Sequence, residues 1–120
     1  MSYVDGFVVP VPESNLKQYR SIAQKAGKIW KEHGALHYVE AVGDDLDVKF
    51  GLSFKKAFKP KPGETILFSF IVFKSRADRD RVNAKVMSDP RMNKMMASGQ
   101  EMPFDVKRMC YGGFKSIIDM

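Results

Sequence analysis

The residues able to do chemistry in this sequence are polar side chains embedded in apolar segments. Asp5 interrupts YVDGFVVPV, and Lys107, Arg108 and Cys110 lie in DVKRMCYGGF. A carboxylate on a buried strand must find a cation or hydrogen-bond donors to stay charged. Lys107 or Arg108 would supply one if the first and last strands are neighbours. Such a pair is either a structural ion pair, the commoner case, or a catalytic acid, which a raised Asp5 pKa would favour. Asp5 and Arg108 are therefore the candidate catalytic or anchoring residues, with Tyr3, Phe70 and Tyr111 as candidate walls of an apolar ligand site.

Other constellations carry less. His37 and Glu40 are three apart on one strand and point to opposite faces, so they form no dyad. His33 and His37 have the four-residue spacing of metal ligands, but Gly34 between them should end the helix, and no metal site is expected. Nothing around either histidine selects haem, and no cofactor is expected. The single Cys110 can make neither an internal disulfide nor a zinc cage. Flanked by Met109 and Tyr111, it reads as a small buried hydrophobe. Gly112 and Gly113 have no helix after them, which argues for a sheet bend or bulge rather than a phosphate cradle. Six methionines, Met87, Met92, Met95, Met96, Met102 and Met109, crowd the second half. They fill core gaps or line an adaptable cavity beside Phe68, Phe70 and Tyr111.

The elements that must position these residues follow from apolar spacing. Residues 3–11 and 64–73 are rich in β-branched and aromatic residues and read as strands, as do 35–43 and 105–114. Leu16, Tyr19, Ile22, Ala23, Ala26, Ile29 and Trp30 make one face of a long helix, with Asn15 and Gln18 as its cap and Gly34 as its stop. Ser75 opens a second helix that Asp89 and Pro90 interrupt, and RMNKMMAS adds a further turn. The long connection over 44–63 has room for a short helical turn. The order is βαββαβ. Right-handed crossovers turn it into a four-stranded antiparallel sheet with two helices on one face, a ferredoxin-like α+β sandwich over residues 1–120.

A length of 120 residues with 44% apolar and 28% charged residues suits one such domain with its own core. No apolar run approaches the roughly 20 residues that cross a bilayer, and MSYVDGFVV lacks a basic secretory start, so a cytoplasmic location away from membranes is expected. The net charge of +6 attracts polyanions in principle. Four of those charges sit in FKKAFKPK as Lys55, Lys56, Lys59 and Lys61. That loop, 55–61, is the alternative functional element, an RNA-binding surface. Phe68, Phe70 and Phe73 echo the aromatic spacing of RNA-recognition motifs, but Ile66 and Leu67 stand where those motifs carry a basic residue and glycine. Nucleic acid is not the expected partner.

The strand pattern says more. Tyr3, Phe7, Val9 and Val11 alternate with Val4 and Val8, and Phe68, Phe70 and Val72 alternate with Leu67, Ile71 and Phe73. Both faces are apolar. A face left wet would exceed the apolar patch that soluble monomers show. The simplest cover is the same face of a second chain.

The strings YVDGFVVPVP, GALHYVE, SDPRM and MPFDVKRMCYGGFKSIID resemble the YbaA-like family, the domain of unknown function numbered 1428, within the dimeric α+β barrel superfamily. The resemblance covers nearly the whole chain. It implies a ferredoxin-like protomer pairing sheet to sheet, and implies no activity and no catalytic residues. The expected function is that of a homodimeric small-molecule binder or cofactor-free enzyme with an apolar pocket. Alternatives are RNA binding through the basic loop and a structural or regulatory dimer without ligand.

Overall fold

Alternating apolar residues over Tyr3–Pro12 and Glu64–Phe73 build the two long central strands, β1 and β3. They pair antiparallel from Tyr3 opposite Phe73 to Pro12 opposite Glu64. In the computed structural model, which describes residues 1–99 and 101–120, β2 (His37–Val42) joins β3 and β4 (Cys110–Lys115) joins β1. The sheet order is β2-β3-β1-β4, wholly antiparallel. Helix α1 (Leu16–His33) and helix α3 (Arg76–Met87) cover one face. A short α2 (Phe54–Phe58) interrupts the β2–β3 connection, and α4 (Pro90–Met96) follows α3. This is the ferredoxin-like βαββαβ arrangement expected from the element order.

Local chemistry sets the boundaries. At Gly34 the backbone takes a φ of 123°, which glycine alone adopts easily, and the Ala35 N–H closes on the Trp30 carbonyl at 3.0 Å. The Ser75 hydroxyl accepts from Asp78 N–H at 3.1 Å to start α3. Asp89 accepts from Arg91 N–H at 2.9 Å to start α4, with Pro90 at the first helical position.

Register assigns the faces. Tyr3, Asp5, Phe7 and Val9 lie opposite Phe73, Ile71, Ser69 and Leu67 on the helix-covered side. Val8, Phe68, Phe70 and Val72 lie on the other side, where β4 adds Phe114. On that second face Phe114 is 63% exposed and Phe68 45%. Both faces are apolar, as the strand pattern requires. The core on the helix side falls into two clusters, one around Phe73, Ile29, Val82 and Val86 and the other around Val9, Val11 and Leu67.

The start of the last strand and the cap of α1 differ from the sequence reading, and β2 is shorter, at His37–Val42. The last strand starts at Cys110, not at 105, because the Asp105 side chain accepts from Lys107 N–H at 3.0 Å and folds Val106–Arg108 into a 3-10 turn. Asn15 does not cap α1 with its side chain. Its amide donates to the Pro103 carbonyl at 3.0 Å instead, and Gln18 donates to the Glu101 carbonyl at 3.3 Å, tying the segment before β4 to the start of α1.

Candidate functional site

Small residues on the sheet side of α1 leave space beneath it. Ala23, Ala26 and Gly27 are buried there, and a Cβ at position 27 would come within 2.7 Å of the Tyr38 ring. The result is a cavity of about 220 Å³ where the two core clusters fail to meet. Aromatic rings from Phe7, Tyr19, Trp30, Tyr38 and Phe104 line it, with Met102 and Met109 on the side of the β4 approach. It adjoins a larger groove between α1 and β2, with which it shares Tyr19, Ala23, Tyr38 and Glu40.

The polar end of this cavity is built on β2. Residues two apart on a strand share a face, so Tyr38 and Glu40 both point under α1. The Tyr38 hydroxyl donates to one Glu40 carboxylate oxygen at 3.0 Å, and the Tyr19 hydroxyl donates to the other at 2.6 Å. Ser69, opposite Glu40 in the sheet, sets its hydroxyl beside Tyr19. Burial, and then the Glu40 charge, push both phenols well above their ordinary pKa of 10.0. Both therefore remain neutral donors. Among the described residues Glu40 forms no ion pair. A carboxylate held this way at the wall of an apolar cavity can accept a hydrogen bond or a proton from a bound molecule.

Asp5 belongs to a different cluster, beneath α3. It is 1% exposed. Arg79 Nε stands 3.2 Å from Oδ1, close but off line for a hydrogen bond, and the Asn83 amide donates to Oδ2 at 3.3 Å. Arg79 also donates to the Tyr3 hydroxyl at 3.3 Å and lies 4.8 Å over that ring. Burial raises the Asp5 carboxyl above 3.8, against the opposing pull of Asn83, Arg79 and the Tyr111 hydroxyl. Gly113 makes room for the cluster, since a Cβ there would overlap Arg79 and come within 2.5 Å of the Tyr3 oxygen. It is a close approach between strand and helix, not the bend or bulge expected. Trp30 joins the two regions by donating its indole N–H to Asn83 at 2.9 Å.

The structure thus does not bring Asp5 and Arg108 together. Arg108, in the 3-10 turn, makes two hydrogen bonds with Glu64 at 2.8 and 2.9 Å. Lys107 lies in that turn too. Tyr3 and Tyr111 flank the Asp5 cluster, whereas Phe70 is on the opposite sheet face, against Phe68. These three residues form no common wall. The methionine-lined cavity lies on the helix side, away from Phe68 and Phe70. Cys110 is exposed rather than buried, because it opens an edge strand. His33 Nε2–H donates to the Asp89 carboxylate at 2.8 Å, and His37 is exposed. Phe73 is fully buried on the helix side, so it cannot share a surface with Phe68 and Phe70. Among the described residues no cluster of three or more His, Cys, Asp or Glu could hold a metal, and no helix is long and apolar enough to cross a membrane.

The sequence reading missed Glu40, Tyr38 and Gly27. The signals were present. Tyr38 and Glu40 are two apart on a strand, and a glycine inside an otherwise regular amphipathic helix marks a close approach.

Solved structures with this chain path include two distant ones. A NIPSNAP-family protein with unknown function from Agrobacterium tumefaciens is 15% identical, with a TM-score of 0.58 over 96% of this chain and 87% of that one. A dimeric ferredoxin-like protein from an uncultured marine organism is 8% identical, with a TM-score of 0.59 over the whole of both chains. They share the fold. Much nearer in sequence is the uncharacterized protein YbaA of Escherichia coli K12, 48% identical over 119 residues and 99% of each chain, and the YbaA of Shigella flexneri matches to the same extent. The model of the DUF1428 family, proteins of unknown function, matches residues 2–106. With that match and those relatives, the chain belongs to the DUF1428 family.

Proposed function

We propose that this protein is a cytoplasmic homodimer that binds a small, largely apolar molecule in the cavity between α1 and the sheet. One observation carries the reading. The cavity is walled by aromatic and methionine side chains and has a single polar end at Glu40, Tyr19 and Tyr38. Apolar walls with a few convergent polar groups are the usual make-up of a ligand site. A thermal-shift screen of small aromatic and alkyl compounds tests it, because a ligand that binds only the folded state raises the melting temperature. Ala23→Met, which fills the space shared by cavity and groove, should remove the shift produced by any hit. A hit that shifts both proteins equally binds elsewhere and defeats the reading.

The dimer is proposed through the sheet face opposite the helices. Phe68 and Phe114 are exposed there, and Phe54 extends the apolar surface by packing on Phe68 at a ring separation of 6.2 Å. The marine protein that shares this fold is dimeric, which supports the pairing of two chains. Light scattering at micromolar concentration should give twice the mass of 13.6 kDa. Phe68→Glu should return it to a monomer. A monomeric mass for the unaltered chain would remove the proposal.

A further inference from the structure

The cavity's polar end offers acceptors and almost no donors. We infer that its ligand is a primary amine, bound as an ammonium group against Glu40 with its apolar body among the aromatic walls. This rests on the reading of the cavity as a ligand site and adds the ligand's chemistry.

A phenol hydroxyl has one hydrogen to give. Tyr19 and Tyr38 have each committed theirs to Glu40, so towards a ligand their oxygens present lone pairs. Trp30 lines the same cavity, and its indole N–H is committed to Asn83. The Ser69 hydroxyl also lines the cavity and, like any hydroxyl, can donate one hydrogen bond or accept. A carbonyl, carboxylate or phosphate set against Glu40 and the two phenols would meet acceptors facing acceptors. An ammonium group reverses the match, since it brings three donors and no acceptor. It also supplies the cation that Glu40 lacks among the described residues. Arg20, Lys28 and Lys31 stand in the neighbouring groove and form no ion pair with Glu40.

The walls favour the same charge. The faces of Trp and Tyr rings attract cations, most strongly where water is excluded. Phe7, Tyr19, Trp30, Tyr38 and Phe104 surround the space that the ligand would fill. Its size bounds the ligand. The cavity of about 220 Å³ holds on the order of seven water-sized groups at about 30 Å³ each. That suits the apolar body of a short alkylamine or a single-ring arylalkylamine, with the larger groove open beyond Glu40.

The experiment uses three probes of one shape, benzylamine, benzyl alcohol and benzoate. Trp30 is the sole tryptophan and lines the cavity, so its fluorescence reports occupancy of this site. Benzylamine should bind about tenfold or more tightly than benzyl alcohol, with benzoate weakest, as expected where a charged hydrogen bond is made in one case only. Glu40→Gln should abolish the preference for the amine, and a cooperative urea transition shows that the variant is folded. Equal binding of benzylamine and benzyl alcohol by the unaltered protein overturns the amine assignment and keeps the apolar cavity. So does an amine preference that survives in Glu40→Gln. Failure of all three probes at millimolar concentration overturns both.

Discussion

Asp5 and Glu40 stand on the same face of one sheet, each under a helix, and their fates are opposite. Beneath α3, Asp5 is sealed by Arg79, Asn83 and Tyr111 and touches neither cavity. Beneath α1, Glu40 is held by two phenols, without a cation, at the edge of open space. The strands are not what differs. α3 presents Arg79 and Asn83 to the sheet, whereas α1 presents Ala23, Ala26 and Gly27. Long polar side chains close one region into a structural ion pair, and small ones leave the other free to receive a ligand. The two are also linked, because Asn83, which donates to Asp5, accepts the hydrogen bond of the Trp30 indole N–H.

The comparison breaks most directly at Arg79. Arg79→Met strands the Asp5 carboxylate in the core, and removing one partner of a buried pair costs about 3–5 kcal/mol. Urea denaturation measures it. The double variant Asp5→Leu, Arg79→Met should recover most of that loss, since an apolar pair of similar volume replaces the ions. A single-variant cost indistinguishable from zero would mean that Asp5 does not depend on this cation. Gly113→Val comes next, at about 1–3 kcal/mol for overpacking against Arg79 and Tyr3. Its cost should shrink in the Arg79→Met background, because the two residues share the same space. Strict additivity would show that Gly113 serves something other than the Asp5 cluster.

Much of this was legible before the structure, and the failures share a cause. Period-two alternation shows which strand residues share a face, so the doubly apolar sheet and the ferredoxin-like order follow from spacing alone. Asp5 also stands out as polar in an apolar strand. Its partner does not, because which residues of α3 lie over β1 depends on how the helix packs. A last strand that reached back to 105 would carry Arg108 alongside β1, but Asp105 folds a turn there and Arg108 pairs with Glu64 instead. Glu40 invites comparison with His37, which lies on the opposite face, whereas its actual partner Tyr38 is two residues away on the same one. A cavity is harder still to read, since it is made by what α1 lacks at Ala23, Ala26 and Gly27.

Glu40 should show the converse of Arg79. Glu40→Gln keeps an acceptor for a tyrosine hydroxyl and strands no opposing charge, so without ligand it should cost about 1 kcal/mol or less, the net worth of an ordinary hydrogen bond. The same denaturation series measures it. A loss matching that of Arg79→Met would place Glu40 among the structural carboxylates and erase the distinction between the regions.

The smallest effect is one of slope, and it sharpens what burial does to a carboxyl. The Asp5 pKa is raised above 3.8 by burial, so its favourable contribution is complete below that value and is lost as pH climbs through the higher folded one. Asp89 is the opposite case. Hydrogen bonds from the Arg91 side chain and His33, then from the Arg91 backbone, hold it well below 3.8, with Glu32 paired to the same guanidinium. Its contribution is present above 3.8 and is lost as pH falls towards the folded value. Urea midpoints from pH about 2.5 to about 6 should therefore diverge in sign. Relative to Asp5→Asn, the unaltered protein loses stability as pH rises above 3.8. Relative to Asp89→Asn, it gains stability as pH rises towards 3.8, and the two curves converge in acid. Parallel slopes would mean that the charge on Arg79 outweighs the burial of Asp5, leaving that pair electrostatically like the Asp89–Arg91 pair.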